Sequence, residues 1–198
     1  MFNRRYAERD ARSFRKKSLG KTSRALVELA GDVEGERVLD VGGGIGAIGL
    51  TLLERGAARA TNVELSAGYE EQARELAAER ELAARVERRV GDFVEEGAAI
   101  PEHDVVVLHR VVCCYPDLDS LMNVAADHAR RVLVLTYPQQ RLWIRAGLKV
   151  VNLFLRLSGC GFRTYLHPRD RILASRRGLR LDRVERNGLL WESAALVR

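Results

Sequence analysis

Val38-Leu39-Asp40-Val41-Gly42-Gly43-Gly44-Ile45-Gly46 is a short apolar run that breaks directly into glycines. Arg37 to Val41 reads as a buried strand, and Ile48 to Glu54 resumes as a helix that Gly56 stops. Glycines between a buried strand and a helix tolerate positive φ and carry no side chain, so a ligand can approach the backbone and the helix N-terminus. No Gly-Lys-Ser or Gly-Lys-Thr follows, which excludes a nucleotide phosphate loop. Asp40 stands two positions before the first glycine, whereas dinucleotide fingerprints open on a glycine turn aimed at a pyrophosphate. The ligand is therefore read as one without a pyrophosphate.

Outward from this loop the chain alternates. Residues 59–65, 86–90, 103–109 and 131–136 read as strands, separated by helices over 67–84 and 119–129, with Tyr69, Ala73, Leu76 and Ala77 facing inward. Continuous apolar strands with helices between them predict a parallel sheet covered on both faces. Upstream, residues 3–17 and 21–31 read as helices broken at Ser18-Leu19-Gly20. Downstream, helices over 139–157 and 168–177 precede strands over 179–185 and 189–197, which Asn187-Gly188 turns into an antiparallel hairpin on the sheet edge.

The chain has 198 residues, 46% hydrophobic and 30% charged, enough for one core. Charges interrupt every apolar run before it reaches the length of a membrane span, and the basic start lacks the anatomy of a secretory signal. Cys113, Cys114 and Cys160 form no metal knuckle and no framework of pairs, so no metal is expected and a reducing cytoplasm is the expected location. The formal charge is +6, and Arg4, Arg5, Arg9, Arg12, Arg15, Lys16, Lys17, Lys21 and Arg24 crowd the beginning. Such a cluster either attracts an anionic partner or is a solvated helix face.

Two further loops fall at predicted strand ends. Glu64, some 20 residues past the glycines, is placed to accept from two ribose hydroxyls, and Asp92 in Gly91-Asp92-Phe93 to accept from an adenine amino group, with Phe93 against the ring. The bland alternatives are a loop carboxylate, a capping Asp and a core Phe. Over residues 35–136 this set resembles the class I S-adenosylmethionine-dependent methyltransferases. The resemblance implies a doubly wound, seven-stranded, mostly parallel Rossmann-like sheet of order 3-2-1-4-5-7-6, with strand seven antiparallel. It also implies a cofactor, S-adenosyl-L-methionine, held by Asp40, Gly42, Gly43, Gly44, Gly46, Glu64, Leu65, Asp92, Phe93 and His109. One domain is expected, with a helical cap (1–34), a cofactor-binding core (35–136), an inserted helical segment (137–178) and a terminal hairpin (179–198).

The acceptor side begins at Leu108-His109-Arg110-Val111-Val112-Cys113-Cys114-Tyr115-Pro116-Asp117. It lacks the (Asn/Asp)-Pro-Pro-(Tyr/Phe) pattern that clamps planar amino groups, and with Tyr115-Pro116 and Tyr165-Leu166-His167 it is similar to magnesium-protoporphyrin O-methyltransferases and their small-molecule relatives. The expected activity is methyl transfer to a small, rather apolar molecule, most often at oxygen, with an RNA methyltransferase and a noncatalytic S-adenosylmethionine-binding regulator as rivals. His109, Tyr115, Tyr137 and His167 are the candidates for orienting or deprotonating the acceptor; for His109 and His167 the alternatives are packing and capping. Arg141, Arg145, Lys149, Asn152 and Arg156 form one polar stripe down the otherwise apolar inserted helix. That helix is left open between a roof over the acceptor, a homodimer contact and a peripheral membrane contact. Phe2, Tyr6 and Phe14 would give the first helix an apolar side, and Arg12, Arg15, Lys16 or Lys17 would face an acceptor carboxylate.

Overall fold

The computed structural model describes residues 4–198, so the expectation for Phe2 lies outside the described residues. The elements are α1 (Arg4–Lys17), α2 (Lys21–Ala30), β1 (Arg37–Val41), α3 (Ala47–Glu54), β2 (Arg59–Glu64), α4 (Glu70–Glu79), β3 (Val86–Val90), α5 (Phe93–Glu96), β4 (His103–Leu108), α6 (Leu118–His128), β5 (Ala129–Pro138), α7 (Leu142–Leu157), α8 (Arg169–Ile172), β6 (Arg180–Asn187) and β7 (Trp191–Val197). They build one seven-stranded sheet of order β3-β2-β1-β4-β5-β7-β6. Strands β1 to β5 run parallel, and β7 is antiparallel to both β5 and β6, as the resemblance implied.

Alternation along each strand sorts side chains onto two faces. Val38, Val105, Val107, Val132 and Val134 meet α2, α3 and α4 through Leu26, Leu52 and Leu76. Leu39, Val106, Leu108, Leu133 and Leu135 meet α6 and α8 through Leu121, Met122 and Ile172. Each such fully buried side chain stabilises the fold by roughly 1.5–3 kcal/mol over an exposed one. Strand β6, the sheet's edge, is mostly exposed and carries Arg180, Asp182, Arg183, Glu185 and Arg186, charges that discourage edge pairing.

Four expectations are corrected. The helix expected over 67–84 ends at Glu79, because Glu81 takes a left-handed φ of 59° and Leu82 N–H donates to Ala77 O at 2.9 Å, closing the helix end over buried Leu82. The helix expected over 168–177 is four residues long; Arg177 and Gly178, both at positive φ, form a two-residue turn in which Arg176 and Leu179 exchange backbone hydrogen bonds. The terminal reversal is Gly188 to Leu190, since Asn187 still pairs with Trp191 and is buried within β6. Two of the N-terminal arginines are turned toward α4: Arg4 pairs with Glu71 and Arg15 with Glu79 and Glu75, while Arg80 of that region stacks on the Phe14 ring, so Arg15 is not poised for an acceptor.

Candidate functional site

Parallel strands β1 to β4 end along one edge, and their following loops meet there. After β1 the backbone turns at Gly42 (φ 60°), Gly44 (φ 55°) and Gly46 (φ 77°), which hands the chain to α3. These angles favour glycine, and space demands it as well. A Cβ on Gly42 would lie 2.6 Å from Val111 Cγ2, and one on Gly43 would strike the Asp40 and Asn62 side chains beneath it. The missing side chains thus let the loop close down on Val111, Asp40, Asn62 and Tyr69, leaving a cradle of backbone after β1.

Three side chains fix the cradle. Asp40, 1% exposed, accepts from Gly49 N–H at 3.3 Å with Oδ2, while its Oδ1 has no partner. Burial pushes its pKa up to about 7, against the pull of Gly49 N–H and the Arg88 charge. Asp40 therefore acts under the loop, anchoring α3. Glu64, also buried, accepts from Gly44 N–H (2.9 Å) and Ser66 N–H (2.9 Å), tying the end of β2 to the cradle. Arg88, in mid-β3, pairs with Glu70 at 2.7 Å and donates to Gly44 O at 3.1 Å. Arg88, Asn62 and Tyr69, whose ring lies against Gly44, were not read as site residues from the sequence; Arg88 is one of three charged residues in the five of β3, so nothing local distinguishes it.

Leu65, just past β2, is 71% exposed at the rim. Asp92 caps α5, accepting from Val94 N–H at 2.8 Å, and also accepts from the Tyr115 hydroxyl at 3.2 and 3.3 Å. Phe93 points the other way: it is buried in the core with its ring edge-on to His128, 5.5 Å between centroids. The expected adenine wall is thus a core residue, because the cap at Asp92 starts a helical turn that swings the next side chain inward.

On the acceptor side, His109 Nε2 lies 3.2 Å from Thr22 Oγ1 and 3.3 Å from Ser23 Oγ, hydroxyls of α2. Burial, assisted by the neighbouring Arg110 charge, lowers its pKa to about 3, so it is neutral at pH 7. Arg110 has φ 61°, with its N–H donating to Thr136 Oγ1 at 2.7 Å and its guanidinium 5.0 Å from the Trp191 ring centroid. Tyr115 has its pKa raised to about 12 by burial and the Asp92 carboxylate. Tyr137 is fully buried, its pKa pushed up by burial and by Glu192, which faces it across the ladder. It is therefore corrected to a core residue. His167 Nε2 donates to Tyr115 O at 2.9 Å and its ring stacks on Tyr165, whose N–H reaches Cys113 O at 2.7 Å. Residues 160–168 are thereby strapped across the 111–115 loop, with Asn152 of α7 holding Thr164.

Residues 38–134 match the family model described as methyltransferase domain. No curated protein matches the chain. Among solved structures, the chain resembles magnesium protoporphyrin IX methyltransferase from Synechocystis PCC 6803 with bound SAH (20% identity, TM-score 0.70), covering 90% of this chain and 84% of that one. The same protein with bound SAM gives 19% identity and a TM-score of 0.69, over 90% and 78% of the two chains. An O-methyltransferase family protein from Burkholderia thailandensis gives 16% identity and a TM-score of 0.73, over 98% of this chain and 60% of that one. At these identities the structures speak for a shared fold.

Proposed function

We propose, from the match of residues 38–134 to the methyltransferase domain family and the fold shared with magnesium protoporphyrin IX methyltransferase, that the chain is an S-adenosylmethionine-dependent methyltransferase that methylates a small, apolar acceptor at an oxygen atom. The observation that carries the acceptor's size is the strap: residues 160–168 lie over the loop after β4, held by Cys113 O, Tyr115 O and Asn152. Such a cover suits a small molecule better than a polymer.

S-adenosylmethionine supplies a methyl group on a sulfonium, and the leaving thioether is neutral, so alignment in a dry pocket is the main requirement. In this reading Gly42 to Gly46 cradle the methionine part, Glu64 takes the ribose hydroxyls, Asp92 the adenine amino group, and Leu65 shields the ring from the rim. Of the four residues expected to orient or deprotonate an acceptor, Tyr137 is buried and His109 is tied to α2 with its proton affinity depressed. Tyr115 is committed to Asp92 through its hydroxyl, and His167 through its Nε2–H to Tyr115 O. An acceptor already anionic at neutral pH, a carboxylate, fits such a site because it needs no general base. The RNA reading loses support where Arg4 and Arg15, two members of the early basic cluster, are paired with Glu71, Glu75 and Glu79.

The test is calorimetric titration with S-adenosylhomocysteine, NAD serving as control, followed by transfer of a labelled methyl group to apolar carboxylic acids, matched phenols and RNA. Binding of S-adenosylhomocysteine alone, with label in the acids, is the expected result. Label in phenols only would overturn the carboxylate, and label in RNA only would overturn the small acceptor. Binding without transfer to any of them would favour the noncatalytic regulator, and NAD binding in its place would overturn the cofactor.

A further inference from the structure

The longest helix is also the least covered. Helix α7, 16 residues and roughly 24 Å long, buries only Ile144; Leu148, Asn152 and Leu155 complete a narrow packed stripe at helical spacing. On the opposite arc Leu142, Trp143, Val150, Leu153, Phe154 and Leu157 are exposed, from 50% at Trp143 to 83% at Leu142. A roof over the acceptor would hold this arc against the body of the protein, whereas α7 turns it to solvent. Arg145, Lys149 and Arg156 lie between the packed stripe and the apolar arc.

Two further observations identify what covers this face. No Asp or Glu occurs between Asp127 and Asp170, and among the described residues Arg141, Arg145, Lys149 and Arg156 have no acidic partner. At the start of α7, Gln139 is bound to the β6–β7 turn, its N–H donating to Leu190 O and its Nε2 to Gly188 O, each at 2.9 Å. That turn adds exposed Leu189 and Leu190 at the same end. Facing two copies through α7 would set two basic stripes side by side with no counter-charge, so the charge pattern calls for an anionic partner.

We propose that α7 and the β6–β7 turn dock on an anionic lipid surface, with the apolar arc at the acyl boundary and Arg145, Lys149 and Arg156 at the headgroup phosphates. The docking is independent of which acceptor is methylated and is read without turnover. The experiment floats the full chain with phosphatidylcholine vesicles and with equal mixtures of phosphatidylcholine and phosphatidylglycerol. Co-flotation with the mixed vesicles, weakened by salt and slight with phosphatidylcholine alone, is the expected result. Phe154→Gln with Leu157→Gln should weaken it by about tenfold or more. Neutralising Arg145, Lys149 and Arg156 to Gln should weaken it on the order of a hundredfold. Both variants should keep the circular dichroism spectrum and S-adenosylhomocysteine binding of the parent. Absence of co-flotation with mixed vesicles, or undiminished co-flotation of the Phe154/Leu157 variant, would overturn the proposal. So would a solution dimer that the same pair of substitutions dissociates.

Discussion

Glu64 and Tyr115 show how much a residue's partners add to its identity. Glu64 has both carboxylate oxygens on backbone N–H groups, one of them in the glycine loop, so it shapes the cradle beside the ribose contact proposed for it. Glu64→Ala should weaken S-adenosylhomocysteine binding by about 1–3 kcal/mol through lost charge-assisted hydrogen bonds. Calorimetry checks this, and unchanged affinity would remove Glu64 from the site. Tyr115 gives its hydroxyl to Asp92, so Tyr115→Phe should act on the cofactor side, weakening affinity by about 0.5–1.5 kcal/mol. Steady-state kinetics separate the two roles: a change in cofactor KM with kcat kept is expected, and a fall in kcat alone would return Tyr115 to the acceptor. At this scale the sequence named Asp40, Glu64 and Asp92 by type and spacing. It misplaced Phe93 and Tyr137, because an aromatic side chain beside the ends of the strands suits either the ligand or the core until neighbours such as His128 or Glu192 are in place.

Among the elements, periodicity located β1, α2 and β3 to within a residue, and the largest errors fall where α4 and α8 stop. Helix α4 ends without a glycine: Glu81 adopts the left-handed conformation, and the closure is stabilised by burying Leu82, a tertiary contact that the local sequence does not announce. Glu81→Gly should therefore raise stability by about 1 kcal/mol, since glycine removes the left-handed penalty. A urea midpoint measured with unchanged m-value tests it, and a loss of stability would mean that the Glu81 side chain stabilises the helix end. Helix α8 shortens for a similar reason, as Arg177-Gly178 closes a turn that antiparallel pairing of Arg176 with Leu179 requires. None of the helices described is long and apolar enough to cross a membrane.

At the scale of the whole molecule, two buried groups under opposite faces of the site give stability opposing pH dependences. Asp40 has a folded-state pKa of about 7 against an ordinary 3.8. Its contribution is therefore full below 3.8 and is lost as pH rises toward 7. His109, lowered to about 3 from 6.5, contributes in full above 6.5 and loses that contribution as pH falls. Asp40→Asn deletes the first dependence, so between pH 4 and 7 the variant should gain stability relative to the parent as pH rises. Urea titrations across that window decide it, and parallel profiles would mean that Asp40 is ionised throughout. The sequence by itself determined the parallel core, the antiparallel ending and the glycine loop, because buried strands, helical periodicity and backbone freedom at glycine are local properties. Only the tertiary structure decided that Arg4 and Arg15 meet α4, that His109 is tied to α2 and that the apolar arc of α7 faces solvent. These depend on which charged, polar or apolar group arrives from a distant part of the chain, and pairing across such separations is set by packing of the whole sheet and its helices.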